Sequence, residues 1–372
     1  MCPAARVSDS GSKAYSERSA FWVSQCTPTR SRRVREREAT PLIITGHGLS
    51  IRVDKGCLLV RDGNTHYPAT QRQWRFFNGA LEIPPSIVVL DGSGEITLDA
   101  INWLSTQNVP VICLRWNGKF ASIITSGGQA ASADKVYWQK KTREDPRARL
   151  AFGISIIRQK AKSSLLTLDQ YFSQSPLYDQ ISENICARTK SLARTPPKTF
   201  AHLLGAEGAI AADYFRIWPG MKLMWNARGR HPVPDDWHTY KTRTSLRRNM
   251  RGLTADSAYN RSAAHPVSAM MNYAYGVLVA QTQIRLMAEG YDPTMGIMHR
   301  RNRAYSNVPE FALDHMEPMR PVVDRAILEL IKTTTFSGTD FSIQHDGACR
   351  LNPELARRVA QLSCEKVRTA AQ

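Results

Sequence analysis

Residues 265–290, HPVSAMMNYAYGVLVAQTQIRLMAEG, limit the possible folds more than any other stretch of the chain. Pro266 fits the first turn of a helix and Gly290 its C-terminal cap, so the segment predicts one long helix. Its middle is apolar nearly all round, with Asn272 and Tyr275 as the polar exceptions. A helix without a polar face is stable only where other elements cover every side of it. The segment therefore predicts a helical domain with this helix at its centre, and Asn272 and Tyr275 as satisfied core groups.

The chain before it has a different texture. From Pro41 it runs in short β-type stretches: LIIT up to a Gly46-His47-Gly48 turn, LSIRV with Leu49, Ile51 and Val53 on one face, CLLV after Lys55-Gly56, and IPPSIVVL ending at Asp91-Gly92. Thr97 is placed to cap a short helix, LDAINWLSTQ. VPVICLRW and KFASII flank Asn117-Gly118, a strong hairpin signal. Gly46-x-Gly48 and Gly92-x-Gly94 lack the third glycine of a phosphate loop, so both read as turns. TSGGQAASAD at 125–134 has linker composition. Beyond it apolar residues recur at helical spacing, as in Leu150, Ile154, Ile157, Ala161, Leu165 and Leu168. The expected fold class is α+β: a small N-terminal β-rich domain over 41–126, a linker over 127–134, a larger all-α domain over 135–335 and a partly helical C-terminal tail over 336–372. Residues 1–40, rich in Ser and Arg with TRSRRVRERE at 29–38, read as a basic, disordered extension.

Fifty Lys and Arg against 32 Asp and Glu give a formal net charge of +18. Such a bias selects an anionic partner, nucleic acid before a membrane surface. No apolar run reaches the ~18 residues that a spanning helix needs, so no membrane partner is expected. The seven cysteines are scattered without a CxxC pair, which argues for reduced thiols rather than a zinc ribbon or a disulfide framework. No apolar leader with a small-residue cleavage site opens the chain, and the expected location is cytoplasmic.

Three acidic or imidazole side chains stand where apolar residues would be expected. FAHLLGAEGAIAADYFRIWPG reads as a helix ended by Pro219-Gly220, with an inward stripe of Leu203, Ile210, Tyr214 and Trp218. Glu207 falls on that stripe. A buried carboxylate needs a metal, a cation partner or a raised pKa, and a structural salt bridge to an arginine at the core edge meets that need as well as a metal does. His299 follows the Asp292-Pro293 turn and Gly296. After the basic loop at 300–303, Asp314 and Glu317 share one helix face with Phe311. Should Glu207, His299 and Asp314 converge, two oxygens and an imidazole without a thiolate suit Mg²⁺ or Mn²⁺. Such an ion stabilises charge on a phosphodiester and activates an attacking hydroxyl.

Between the glutamate helix and the central helix lies WNARGRHPVPDDWHTYKTRTSLRRNMRG. Its basic residues Arg228, Arg230, Lys241, Arg243, Arg247, Arg248 and Arg251 are opposed only by Asp235 and Asp236. Trp225, Trp237 and Tyr240 are interleaved, a pattern for packing or for stacking beside a phosphate track. Arg300, Arg301 and Arg303 add charge beside His299. A solvated face is the alternative reading of such a run.

Three blocks carry a resemblance to a known family. LLGAEGAIAADYF, HPVSAMMNYAYGVL, and YDPTMGIMH followed by FALDHMEPMRPVVD resemble the CRISPR-associated integrase of spacer acquisition, the Cas-one family. The likeness covers about residues 41–332. It implies an N-terminal β domain and an α-helical catalytic domain that forms a homodimer. It also implies metal-dependent DNA endonuclease and integrase chemistry, joining a prespacer 3′-OH to a phosphodiester of the repeat array. By the resemblance Glu207, His299 and Asp314 are ligands of Mg²⁺ or Mn²⁺; Glu317 is a candidate to stand behind them, with a solvent ion pair as the alternative reading. Arg320 and the basic residues above are expected to hold the phosphates of double-stranded DNA, and the family's usual partner is a small ferredoxin-like companion subunit (Cas-two). KAKSSLLTL at 160–168 departs from the family's Asn-Gln pair, and Ser268 replaces an expected Asn. A transposon-borne integrase on the same scaffold and a non-catalytic nucleic-acid-binding scaffold are the competing readings.

Overall fold

Asp9–Cys26 is a helix (α1), not a disordered extension, and it is held to the far end of the chain. Trp22 is 1% exposed, and its indole N–H donates to Asp340 Oδ1 at 2.9 Å. Arg18 donates to both oxygens of the same carboxylate, at 2.7 and 2.8 Å. Composition averaged over 40 residues hides a single tryptophan anchor of this kind. The computed structural model describes residues 9–26, 40–64, 71–115, 120–125, 131–226, 231–241, 263–300, 308–344 and 347–371, so the arginine cluster at 29–38 and the Asn117-Gly118 hairpin lie outside the described residues.

Six strands form one mixed sheet: β1 Leu42–Asp54, β2 Cys57–Arg61, β3 Gln73–Phe76, β4 Ile87–Ile96, β5 Val111–Leu114 and β6 Phe120–Ile124. Their order is β3-β2-β1-β4-β5-β6. The central β1–β4 and β4–β5 pairs are parallel and the outer pairs antiparallel. The β4–β5 crossover carries the expected short helix α2 (Leu98–Thr106), and Thr97 Oγ1 accepts the Ala100 N–H at 3.2 Å. The Gly-x-Gly pairs are not turns. They lie inside β1 and β4, where the register shifts twice. A Cβ on Gly94 would stand 1.9 Å from the Leu49 carbonyl oxygen, so the glycine is required by the close approach of two strands.

One sheet face packs on α2 through Ile44, Ile51, Val60, Val89 and Trp103. On the other, Ile43, Val88, Leu90, Ile112 and Leu114 join the core of the helical region. The expected β-rich and all-α parts therefore share a core. The helices that follow are α3 Ala133–Glu144, α4 Pro146–Phe172, α5 Tyr178–Arg194, α6 Phe200–Arg216, α7 Pro266–Ala288, α8 Glu310–Met316, α9 Arg320–Thr333 and α10 Pro353–Ala371. As its sequence requires, α7 is buried along most of its length, against α8, α9 and α10. The Tyr275 hydroxyl donates to buried Asp324 at 2.6 Å, the satisfied core group expected of it. Among the described residues no helix is long and apolar enough to cross a membrane.

The C-terminal stretch is not a tail. Leu355, Val359 and Ala360 of α10 are fully buried, and the helix packs on α7, α9, α1 and β1. Its Arg357, 2% exposed, donates to the Ile43 carbonyl at 3.0 Å and to Glu354 at 2.7 and 2.9 Å, and pairs with Asp62 on the strand side. Replacing it with Met strands two buried carboxylates. Glu354 keeps Arg72, at 2.8 Å, and Asp62 keeps the Thr45 N–H, at 2.7 Å. Arg357→Met is therefore expected to cost about 3 kcal/mol, at the low end for a broken buried pair, read as a lower urea midpoint.

His265 caps α7, its Nδ1 accepting the Val267 N–H at 3.2 Å. Burial pushes its pKa down to about 4, against the weaker pull of Asp236. The unfolded chain takes up this proton near 6.5 and the folded chain only near 4, so the contribution is complete above pH 6.5 and is lost as pH falls through that window. The loss amounts to about 3 kcal/mol. His265→Asn keeps the cap and removes the titration, and its unfolding free energy should fall less steeply between pH 6.5 and 4 than that of the parent.

Candidate active site

The loop that carries His299 is gripped from two sides. Asp314, on α8 and fully buried, accepts the Ile297 and Met298 N–H groups on Oδ2 at 2.6 and 2.9 Å, and the His299 N–H on Oδ1 at 2.9 Å. From α4, Arg149 donates to the carbonyls of Ile297 at 2.8 Å and Met298 at 3.2 Å. Gly296 admits no side chain, since a Cβ there would be 2.5 Å from the His299 carbonyl oxygen and 2.6 Å from Glu310 Cβ. This explains why the D-P-x-x-G turn precedes the histidine.

Asp314 also fixes the imidazole. Its Oδ1 lies 2.7 Å from His299 Nδ1, which among the described residues leaves Nε2 as the uncommitted ring nitrogen. Burial works to lower the His299 pKa, but the hydrogen bond and charge of Asp314, with Glu317 beyond, outweigh it and raise the value. All the geometry around Asp314 is that of an anchor: both carboxylate oxygens are taken by protein donors.

Glu207, near the middle of α6, meets a different carboxylate. Its Oε1 lies 2.5 Å from Lys160 Nζ, and the same ammonium is 2.6 Å from Glu317 Oε2. Glu317 opens the short 3-10 turn Glu317–Met319 between α8 and α9 and is almost fully buried. Burial disfavours its charge, yet Arg320 and Lys160 hold its carboxyl below the usual range. The Glu207 charge is thus satisfied by a cation partner, a lysine rather than the expected arginine. Among the described residues no three His, Cys, Asp or Glu side chains stand close enough to hold a metal, and where two carboxylates converge the cation between them is Lys160.

The donor set still suits a hard divalent ion. Two carboxylates, from α6 and from the Glu317–Met319 turn, face one cation position, now taken by the Lys160 ammonium. His299 belongs to the same electrostatic neighbourhood, since its charge and that of Glu317 act on each other. Lys160 and Arg149 escaped the sequence reading. Lys160 lies in the segment that departs from the Asn-Gln pattern, and nothing local marks Arg149.

Of the basic residues, Lys241 and Arg300 are exposed, while Arg228, Arg230, Arg243, Arg247, Arg248, Arg251, Arg301 and Arg303 lie outside the described residues. Arg320 is not a free phosphate ligand: it pairs with Glu317 at 3.2 Å and lies 5.0 Å over the Tyr275 ring. Nor are the interleaved aromatics available for stacking on bases. Trp237 and Tyr240 are buried, and Trp225 stacks on Trp237 with centroids 6.1 Å apart.

This combination of sheet, helical region and acidic pair places the chain in a defined class of folds. It superposes on a casposase bound to its integration product with a TM-score of 0.69 and 25% identity, over 88% of this chain and 82% of that one. A Cas1 protein from Thermotoga maritima shares the fold, with a TM-score of 0.63 at 13% identity, over 89% and 91% of the two chains. The chain belongs to the CRISPR associated protein Cas1 family, whose profile matches residues 42–237 and 248–363. A Cas4/Cas1 fusion of Rhodospirillum rubrum is 28% identical over 73% of this chain and 42% of its own length. A similar fusion of Geobacter sulfurreducens is 24% identical over 86% of this chain and 51% of its own, so the chain spans about half the length of these relatives. The endonuclease "Cas1 2" of Pyrobaculum aerophilum is 24% identical over 78% and 82%.

Proposed function

We propose that the protein is a metal-dependent DNA endonuclease and integrase that joins the 3′-OH of a prespacer to a phosphodiester of a CRISPR repeat array. The observation that carries this reading is the convergence of Glu207 and Glu317 on one cation position beside His299, in a member of this family. Glu207, Glu317 and His299 Nε2 would hold Mg²⁺ or Mn²⁺. Glu317 replaces Asp314 in that set because the Asp314 oxygens are occupied by backbone and imidazole donors. When bound, the ion supplies charge for the phosphodiester in displacement and acidifies the attacking hydroxyl.

The chain's own part is positional. Asp314 keeps the His299 ring in one orientation, and Arg149 fixes the backbone that bears it. Arg320 holds Glu317 from the side away from Lys160. Lys241, Arg300 and the neighbouring arginines of the sequence supply charge for the phosphates of double-stranded DNA. A homodimer and a small ferredoxin-like companion subunit, both implied by the family resemblance, complete the assembly in this reading.

The casposase superposition favours a second reading, a transposon-type integrase on the same scaffold. One experiment covers both: strand transfer of a short duplex with a free 3′-OH, with and without Mn²⁺, into a repeat array or a terminal-inverted-repeat target. Transfer into the array that requires Mn²⁺ is the expected result. Preference for the inverted repeats supports the second reading, and metal-independent transfer overturns the site.

A further inference from the structure

Lys160 stands where a bound cation would stand. It reaches the site from α4, its side chain only 13% exposed, while its two partners come from α6 and from the turn before α9. The two carboxylate oxygens it touches are at most about 5 Å apart, and a divalent ion with oxygen distances of about 2.1 Å spans them after a small shift. One ammonium thus serves both carboxylates, at 2.5 Å from Glu207 Oε1 and 2.6 Å from Glu317 Oε2.

We propose that Lys160 is a built-in, displaceable counter-ion. It holds the Glu207 and Glu317 carboxylates together while the site is free, and it must leave when the divalent ion enters, so it sets the affinity for that ion. The inference rests on the reading that these two carboxylates hold the metal. Several features make displacement feasible. The ammonium carries one charge against two, and its stem is four flexible carbons that can carry the charge outward. Glu317 retains Arg320 on its other oxygen at 3.2 Å when Lys160 goes. Glu207 has no second hydrogen bond among the described residues, and it becomes a ligand as soon as the ammonium withdraws. A bidentate arginine at this position would be a poorer switch, because its fork would hold both carboxylates at once.

The test is equilibrium binding of Mn²⁺ alone to the full chain, followed by the electron paramagnetic resonance of free Mn²⁺ and by thermal melts with and without the ion. Lys160→Met is expected to bind Mn²⁺ at least about tenfold more tightly than the parent, the effect of removing a unit charge a few ångströms from the ion. Its metal-free form should melt lower, and Mn²⁺ should raise its Tm by more than it raises the parent's. Lys160→Arg should bind no more tightly than the parent. If the methionine variant does not fold, Lys160→Gln carries the same expectation. Unchanged or weaker binding in the neutral variants, or tighter binding in Lys160→Arg, overturns the proposal. If Glu207→Gln leaves parental Mn²⁺ binding unaltered, the ion is held elsewhere, and it is the underlying reading of the site that fails.

Discussion

Glu207→Gln and Glu317→Gln are each expected to lower Mn²⁺-dependent strand transfer by roughly 10³-fold, while DNA affinity changes by less than about threefold. Both substitutions keep side-chain volume and remove one negative charge, so the effect is read as chemistry rather than packing. The two residues belong to different helical elements and meet only through a shared cation, within 2.5 and 2.6 Å of the same atom. Losing either halves the charge available to a divalent ion. In the proposed reading DNA binding draws on the +18 formal charge of the whole chain, and one carboxylate fewer leaves that almost unchanged. The measurement pairs a gel-based strand-transfer assay with filter binding at a fixed salt concentration. A Glu317→Gln enzyme within tenfold of the parent would remove Glu317 from the ion and break the two-carboxylate site.

Much of this site is legible in the sequence, and what is missing has a common physical cause. Glu207 can be singled out because a 3.6-residue period puts it on an apolar stripe, and a local rule suffices for that. Its partner cannot be found in the same way. Lys160 lies 47 residues upstream on another helix, and no spacing rule joins them. Asp314 and Glu317 are three residues apart on one face, so periodicity makes them equivalent. Only the chain path separates them: the loop at 297–299 folds over Asp314, while Glu317 starts a 3-10 turn aimed at α4 and α6. The same division holds for the fold. The burial of α7 is dictated by its own residues. The burial of Trp22 and of α10 is dictated by Asp340, Asp62 and the back of the sheet, all distant in sequence.

Asp314→Asn separates an anchoring role from a ligand role. The amide has the shape of the carboxylate but only one acceptor oxygen. Turned one way, its NH₂ faces the N–H groups of Ile297 and Met298. Turned the other way, it faces the backbone N–H and Nδ1 of His299. In either orientation two donors at a fully buried position lose their acceptor, at about 1–3 kcal/mol each, and the remaining bonds lose their charge assistance. The expected cost is about 3–5 kcal/mol, visible in urea unfolding, with the loop held by Arg149 and the two donors that keep the amide oxygen. The His299 pKa should fall, because the Asp314 charge that helps to overcome its burial is gone in either orientation, and this can be followed by titration of the ring protons. Strand transfer should fall with it, since the imidazole is held at best by an uncharged acceptor. Mn²⁺ binding is the discriminating measurement. At a temperature where the variant is folded, it should be retained to within about tenfold, because Glu207 and Glu317 are untouched. Complete loss of the ion in a folded Asp314→Asn chain would make Asp314 itself a ligand and return the site to the Glu207, His299 and Asp314 set expected from the sequence.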